Sequence, residues 1–436
     1  MGVHVRLQLD IFNIKDIQFA GRTAITDGVL YINRSEFREF LEEDKRLSQV
    51  DVDLAHPGEK CRIIQVTDVV EPRAKTNGGV DFPGALGKIG TVGQGNTCVL
   101  RGTSVVISEH RRAGDAPMEP SLPGHGAVID MSGTGAALSV YGKTHNVVVV
   151  PRSANGIGLH DYRIALKIAG LKTAVYLAQA GKGLKPDEIE VYDLPPSSGT
   201  PKGLEGLPKV AYIFQFISGQ FESIPGYPIF YGCGAERIAP TILHPNEVLD
   251  GAIVTPYRTM GMEVFGLQNH SIIKELYRRH GKDLCFVGVV ITVAHDIEQE
   301  NERAATMAAN LVKWTLGAEG VILTKSGGGI PEVAMALTAQ RCEELGVRTS
   351  LALVHYPTML SGGDNTTLFN VPEVDAIVSL GTPHARITLP PVERVIGKPI
   401  EMEEGPLASG EIKTTLHTVR GVISQIGSSG LIAVQS

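Results

Sequence analysis

The pattern of apolar and polar residues changes near residue 146. Before this point the chain contains short β-branched runs bounded by Gly, Pro, Asn or Asp, which are typical of strands. These runs are VRLQLDIF, GVLYI, QVDVDLA, KCRIIQV, CVLRGTSVVI and HNVVVV. One helix is predicted among them in SEFREFLEEDKRL, with Ser35 in position to cap it. Its apolar residues share one helical face: Phe37, Phe40, Leu41 and Leu47.

After residue 146, apolar strand patterns alternate with amphipathic helix patterns. The strand patterns are VVVVP, KVAYIF, LCFVGVVITV, GVILT, TSLALV and VDAIVSLG. The helix patterns include HDYRIALKIAGL, NHSIIKELYRRHG, ENERAATMAANLVKWTLG and PEVAMALTAQRCEELG. Glycines are predicted to end three of these helices, at Gly170, Gly281 and Gly346, and Pro331 fits the first turn of the last. Because neighbouring parallel strands require a crossover, this alternation predicts a doubly wound parallel sheet.

The two patterns together predict an α/β protein. We expect a β-rich N-terminal domain over residues 1–145, a first α/β segment over 146–200 and a doubly wound α/β domain over 201–436. The Gly- and Pro-rich stretch GTPKGLEGLPK would separate the last two. A length of 436 residues agrees with roughly three domains.

Composition excludes several classes of function. With 40 Lys and Arg against 47 Asp and Glu, the net charge is −7, which disfavours nucleic-acid binding. No apolar run reaches the ~18 residues of a membrane span, and MGVHVRLQLDIF lacks the pattern of a signal peptide. Five cysteines without a CxxC pair favour a reducing compartment. We therefore expect a cytoplasmic protein that binds neither nucleic acid nor membranes.

Ligands of open parallel sheets bind beyond the carboxyl ends of the strands, so the residues after the predicted strands are candidates. Three histidines in such places are expected at one edge of a sheet with a glycine-rich turn and are predicted to transfer protons: His160, His295 and His355. After GVILT, the segment SGGGIPE would present the backbone N–H groups of Gly327, Gly328 and Gly329 to a carboxylate or phosphate. Two simpler interpretations stay open, namely histidines that only cap or pack and a glycine turn that only reverses the chain.

Cys98 and His145 each begin a β run in the N-terminal half. A thiolate and an imidazole brought together would form a nucleophile pair or half of a zinc site. Their spacing does not require contact, and a buried apolar cysteine beside a surface histidine is the simpler interpretation. The other cysteines are interpreted as packing residues.

Several long segments carry a family resemblance that covers nearly the whole chain. They are IKDIQFAGRTAITDGVLYIN, DVVEPRAK, FPGALGKIGTVGQGNTCVLRG, IDMSGTGA, RIALKIAGLKTAVYLAQAG, PTILHPNEVLDGAIV, IIKELYRRHGKDLCFVG and TLPPVERVIGK. The chain resembles the proprotein subunit of component B of the glycine, sarcosine and betaine reductases, which is related to the D-proline reductase proprotein.

This resemblance implies chemistry on small amines and amino acids. In that family the proprotein is cut by an acyl shift onto a cysteine, which leaves a pyruvoyl group on the new N-terminus. The carbonyl can capture a substrate amine as a Schiff base, and a selenocysteine on a separate partner subunit attacks the adjacent carbon. The resemblance therefore implies a partner subunit like the family's selenoprotein B subunit.

The sequence departs from the family at the cleavage loop. Residues 254–266 read VTPYRTMGMEVFG and contain neither Cys nor Ser, and Arg258 stands where the family's cysteine aligns. Thr255 and Thr259 carry hydroxyls, but threonine would leave a longer 2-oxobutanoyl group. We therefore expect an uncleaved chain without a pyruvoyl cofactor.

From these observations we expect a reductase-like or lyase-like subunit that acts with its partner on a C–N or similar C–X bond. Arg258 would bind a substrate carboxylate, unless it is simply a solvated loop arginine. Two other classes stay open. One is a metal-dependent hydrolase or lyase that holds zinc through Cys98, His145 and a third ligand, and the other is a non-catalytic scaffold subunit.

Overall fold

The computed structural model describes residues 5–111, 115, 125–195, 203–218, 227–254, 261–354, 373–399 and 407–428. The first half is mostly β-structure, as predicted. Its strands are β1 (Val5–Asn13), β2 (Asp16–Phe19), β3 (Ala24–Thr26), β4 (Val29–Ile32), β5 (Leu47–Ala55), β6 (Cys61–Ile63), β7 (Val66–Val70), β8 (Arg73–Lys75), β9 (Gly95–Arg101), β10 (Thr103–Ser108), β11 (Ile129–Asp130), β12 (His145–Ser153) and β13 (Glu188–Leu194). Its helices are α1 (Arg34–Glu42), α2 (Gly133–Leu138) and α3 (Leu159–Ala178).

The second half alternates strands and helices. Its strands are β14 (Lys209–Ser218), β15 (Thr241–Leu243), β16 (Cys285–Ala294), β17 (Gly320–Lys325), β18 (Arg348–Leu353), β19 (Ala376–Ser379), β20 (Arg386–Leu389), β21 (Arg394–Ile396) and β22 (Ile412–Thr415). Its helices are α4 (Pro245–Leu249), α5 (Val264–Gln268), α6 (Ser271–Arg279), α7 (Glu298–Asn310) and α8 (Ile330–Glu344). None of the helices in the described ranges is both long enough and apolar enough to cross a bilayer.

A six-stranded sheet organises the second half, in the order β15-β16-β14-β17-β18-β19. Only β15 pairs antiparallel within it. Alternate residues of β14 enter two cores: Tyr212 and Phe214 pack with apolar residues of α5 and α6, whereas Ala211 and Ile213 pack with those of α7 and α8. Helices therefore cover both faces of the sheet, and the predicted α/β fold with a doubly wound sheet is confirmed.

The first half contains two four-stranded sheets, β13-β1-β9-β8 and β5-β12-β10-β7. Helix α3 contacts strands of both, including β8 and β10. The long apolar runs of β10 and β12 are buried throughout their centres, because β12 lies between β5 and β10 while α3 covers one face.

The C-terminal segment returns to the first half. Strand β21 pairs in parallel with β6, and β6 also pairs with β11. The fully buried Arg62 of β6 forms an ion pair with Asp130, with 2.6 Å between Nε and Oδ1. Its guanidinium also donates to three carbonyls of the returning segment: Pro390, Ala408 and Gly410. The domain boundaries remain predictions, but these bonds connect residues from the first and last predicted domains.

Three helix boundaries differ from the sequence-based expectation. The side chain of Asn33, not Ser35, caps α1 by accepting the N–H of Glu36 at 3.2 Å. Gly170 does not end α3, which continues to Ala178. A Cβ atom at Gly170 would lie 2.8 Å from Cγ1 of Ile107, so this glycine lets α3 approach β10 closely. Leu47 begins β5 instead of extending the face of α1.

The first prediction concerns this close approach. We expect Gly170→Val to lower the free energy of unfolding by about 1–3 kcal/mol through overpacking against Ile107. Helix propensity alone would favour the substitution, since glycine is the poorer helix former. Urea denaturation measures the change, with Gly21→Val as the control because a Cβ atom there meets nothing within 4 Å. An increase in stability for Gly170→Val would contradict the close packing.

Candidate functional site

The six-stranded sheet has its topological switch point between β14 and β17. From β14 the chain continues to β16 on one side, and then crosses over to β17 on the other. Ligands of doubly wound sheets bind in the crevice beyond the carboxyl ends of the strands at this point. The glycine turn that sequence analysis singled out follows β17 directly, so it lies at the switch point and precedes α8.

Hydrogen bonds within the chain shape this turn. The N–H of Gly327 donates to Oε1 of Gln425 at 2.7 Å, and the N–H of Gly329 donates to Oε2 of Glu332 at 3.3 Å. Positive φ angles of 89° and 78° occur at Gly327 and Gly329. Two of the three predicted anion donors therefore already have partners within the chain, and Gly328 lies between them.

Lys325, the last residue of β17, is 1 % exposed. Its Nζ donates to the carbonyl of Gly327 at 2.6 Å and lies 3.2 Å from Oε1 of Glu332. Burial lowers the pKa of Lys325, while the carboxylate of Glu332 opposes this shift. The pair neutralises the acidic residue at the start of α8, which would otherwise repel an anion there.

Gln425 connects the glycine turn to the residue that follows segment 255–260. While its side chain accepts from Gly327, its backbone N–H donates to the carbonyl of Gly261 at 3.2 Å. Gly261 is the first described residue after 255–260, and Arg258 lies outside the described residues. The switch point and the C-terminal flank of the loop therefore share one buried glutamine.

A buried ion pair lies beneath the same flank. Asp68 of β7 accepts from Nζ of Lys167 in α3, and both side chains are at most 5 % exposed. The other oxygen of Asp68 accepts the N–H of Val264 at 3.1 Å. Burial lowers the pKa of Lys167, and the negative charge of Asp68 counteracts this effect. The pair ties the beginning of α5 to the first half of the chain.

Glu263 extends this network. It accepts from the hydroxyl of Tyr141 at 3.0 Å and lies 3.5 Å from Nη1 of Arg420. Burial and the adjacent carboxylate raise the pKa of Tyr141 well above its ordinary value, so it stays protonated. A cavity of about 10 Å³, lined in part by Gly261, Glu263 and Arg420, adjoins the network. That volume suits a single water molecule.

The N-terminal flank of the loop is fixed as well. The carboxylate of Asp250 accepts from Nζ of Lys75 and the N–H of Gly93, each at 2.7 Å, and from the hydroxyl of Thr97 at 2.9 Å. The N–H of Val254 then donates to the carbonyl of Ile229 at 2.9 Å. Both ends of the loop are thus held by buried polar contacts.

His295 follows β16, so it lies at the carboxyl edge of the same sheet as the glycine turn. His295 is 4 % exposed, and its backbone N–H donates to Oδ1 of Asn301 at 2.8 Å. Its ring Nδ1 lies 3.3 Å from a carboxylate oxygen of Glu300. Burial lowers the pKa of His295, although the charge of Glu300 opposes this shift. The lowered pKa favours the neutral imidazole. His355 comes shortly after β18 but lies outside the described residues.

His160 is placed differently. It lies in the first turn of α3, after β12, and β12 belongs to the four-stranded sheet β5-β12-β10-β7. The expectation that His160 shares one sheet edge with His295 is therefore wrong, because the strand before His160 and the strand before His295 belong to different sheets. Its proposed role in proton transfer stays a prediction.

Cys98 and His145 lie in different sheets, on β9 and β12. Cys98 is 1 % exposed and its Sγ donates to the carbonyl of Ala178 at 3.1 Å. Burial raises the pKa of this thiol to about 12, which disfavours the thiolate that catalysis or zinc binding requires. His145 instead lies beside His56 and Asp16, with ligand atoms of the three residues within 4.8 Å of one another.

Comparison with known proteins identifies a matching sequence family. The family of glycine/sarcosine/betaine reductase component B subunits matches residues 5–426. Glycine reductase complex component B subunits alpha and beta of Acetoanaerobium sticklandii is 32% identical over 443 residues, covering 98% of this chain and 99% of the relative. Two proteins of Peptoclostridium acidaminophilum are also similar. Sarcosine reductase complex component B subunit alpha is 35% identical, covering 90% and 89% of the two chains, and betaine reductase complex component B subunit alpha is 30% identical, covering 93% and 91%.

The chain belongs to the glycine/sarcosine/betaine reductase component B family. Sequence reasoning about sites in this component B protein missed the buried network around the loop. The signal was present, because Asp68 in VTDVV and Lys167 in IALKIAG are charges inside apolar segments. Charged residues are almost never fully buried unless they are paired. Glu263 and Arg420 gave no comparable local signal.

The second prediction tests the charge pair beneath the loop. Asp68→Asn keeps an acceptor for Val264 but leaves Lys167 without its counter-charge, so we expect a loss of about 3–5 kcal/mol in the free energy of unfolding. The deficit should shrink as the pH rises, because a buried neutral lysine costs less than a charged one. Urea denaturation at several pH values measures both effects.

The matched control is Asp51→Asn. Asp51 pairs with Arg152 at 3.0 Å, but these side chains are 43% and 42% exposed. Exposed pairs contribute about 0–1 kcal/mol, so the control should change stability by no more than that. Equal losses in the two variants would contradict the importance of burial.

Proposed function

We propose that this component B homologue works as one uncleaved chain in a heteromeric complex. It would act on a C–N or similar C–X bond of a small amine or amino-acid derivative without a pyruvoyl group. The observation that carries this proposal is the composition of residues 254–266, VTPYRTMGMEVFG, which contain neither Cys nor Ser. An acyl shift needs a side-chain nucleophile at the cleavage point, and elimination to a pyruvoyl group needs Ser or Cys there.

The family resemblance puts Arg258 where the family has its cysteine. Its planar guanidinium offers five N–H donors and pairs well with carboxylates, so we assign it to the carboxylate of an amino-acid-like substrate. The glycine turn is the second candidate for this carboxylate. It lies at the switch point, precedes a 15-residue helix and is linked through Gln425 to the flank of the loop that contains Arg258.

Proton transfer is assigned to the histidines after the strands. His295 fits best, because its lowered pKa keeps the imidazole neutral and able to accept a proton near neutral pH. His355 follows β18 in the sequence, and His160 would act from α3, which follows a strand of a different sheet. Each of the three assignments rests on a position shortly after a strand.

A partner subunit is part of this proposal. The relatives are named as components of glycine, sarcosine and betaine reductase complexes. We propose a cytoplasmic complex in which a partner resembling the family's selenoprotein B subunit supplies the nucleophile. Activity measured for this chain alone and with its partner separates a catalytic subunit from a non-catalytic scaffold, since variants of Arg258 would leave the activity of a scaffolded complex unchanged.

The third prediction concerns covalent processing. Intact-mass spectrometry of the purified full-length protein should show one species near 46.6 kDa, and carbonyl reagents should form no adduct with it. A variant with both Thr255→Val and Thr259→Val should behave identically, apart from the mass of the substitutions. Two fragments that join within residues 254–262 in the unmodified sequence would overturn the proposal.

The fourth prediction tests the glycine turn with glycine, sarcosine and betaine as carboxylate probes. Gly328→Val places a side chain between the two positive-φ glycines, so it should block close approach and weaken binding at least ~10-fold, about 1.4 kcal/mol. Isothermal titration calorimetry measures the affinity. Gly206→Val is the control, because a Cβ atom at this exposed position meets nothing within 4 Å. Unchanged affinity in Gly328→Val would mean that the turn only reverses the chain.

A further inference from the structure

Three polar side chains outside the loop and the switch point converge in the first half. Asp16 begins β2, His145 begins β12, and His56 follows β5. Strands β5 and β12 pair antiparallel, with Ala55 opposite Asn146. The next pair along this ladder is His56 and His145, so the two imidazoles meet where the strands part, and β2 adds the carboxylate.

Two of the three distances within this group match those between the ligands of one metal ion, and all three ligand atoms lie within 4.8 Å of one another. Nδ1 of His56 lies 3.3 Å from Nδ1 of His145 and 3.3 Å from Oδ1 of Asp16. A neutral imidazole carries one N–H, and one proton on Nδ1 cannot make a good hydrogen bond to both neighbours. In a tetrahedral zinc site with bonds of 2.0–2.1 Å, ligand atoms are about 3.3–3.4 Å apart. One metal ion would satisfy all three atoms at once.

We propose that Asp16, His56 and His145 bind a divalent transition metal ion, with Zn²⁺ as the ion that the two imidazoles and one carboxylate favour. Imidazole nitrogen and carboxylate oxygen are both common zinc ligands, whereas Mg²⁺ and Ca²⁺ prefer oxygen alone. The side chains of His56 and Asp16 are 39% and 36% exposed, which gives the ion a route of entry. Three protein ligands leave a coordination position for water or an anion.

The surroundings hold the ligands in place. The backbone carbonyl of Lys15 accepts a hydrogen bond from the His145 ring, as outer contacts of metal-binding histidines commonly do. The backbone N–H of His56 donates to Glu59 at 3.1 Å, and Glu59 lies 3.0 Å from Nε of Arg394. Desolvation and the neighbouring His56 lower the pKa of His145, so its imidazole is neutral and able to ligate near neutral pH.

This site differs from the zinc site considered from the sequence. His145 is a ligand in both, but Asp16 and His56 replace Cys98. It is also independent of the proposed reaction, because none of its three ligands belongs to residues 254–266 or to the glycine turn.

The experiment uses the full-length protein, stripped with a chelator, mixed with excess Zn²⁺ and freed of unbound metal by gel filtration. Metal analysis should show one zinc ion per chain at neutral pH, and calorimetric titration with Zn²⁺ gives the affinity. Asp16→Asn and His56→Gln should each weaken zinc binding more than ~10-fold, since even outer-shell substitutions commonly cost 10–100-fold. Zinc affinity should fall as the pH is lowered, because protons compete with a metal ion for its ligands.

Cys98→Ala and the exposed His384→Gln are the controls, and both should retain zinc with unchanged affinity. Loss of zinc in Cys98→Ala but not in His56→Gln would overturn the assignment of ligands. Equal affinity in the unmodified protein, Asp16→Asn and His56→Gln would show that zinc binds elsewhere, and no retained zinc would show that these residues form hydrogen bonds only. Circular dichroism confirms that each variant is folded.

Discussion

The residues that follow segment 255–260 are held in place by buried charges that stabilise the fold only in pairs. Asp68 and Lys167 come from β7 and α3, Glu263 immediately precedes α5, and Arg420 returns from the C-terminal segment. Removing one member of a buried pair leaves a charge without compensation, at a cost of about 3–5 kcal/mol. Four distant segments must therefore assemble together before this flank takes its place.

The winding of the six-stranded sheet puts ligand-binding geometry beside that flank. Its strand order reverses between β14 and β17, and the glycine turn follows β17 at the reversal. Gln425 contacts the turn with its side chain and Gly261 with its backbone. Gln425 thus connects the glycine turn to Gly261, the first described residue after 255–260.

This protein shares its fold with the component B family, whereas its chemistry depends on particular sites. Identities of 30–35% extend over at least 90% of the chain, so the scaffold is that of the component B family. Residues 254–266 nevertheless contain neither Cys nor Ser, and function resides in sites more than in folds. The zinc site proposed at Asp16, His56 and His145 would give the first half a chemistry of its own.

Local patterns in the sequence determined elements of the second half, including β16, the glycine turn and the first turn of α8 at Pro331. Periodicity and turn chemistry act over a few residues, so they can be read from the sequence. The family resemblance and the missing cysteine could also be read directly. Only the tertiary structure decided that β12 joins a sheet other than the six-stranded one and that Gly170, within α3, packs against Ile107. It also decided that Asp68 pairs with Lys167, 99 residues away in the sequence. Strand partners and charge pairs depend on which surfaces meet in three dimensions, and the alternation of apolar and polar residues is the same for any partner.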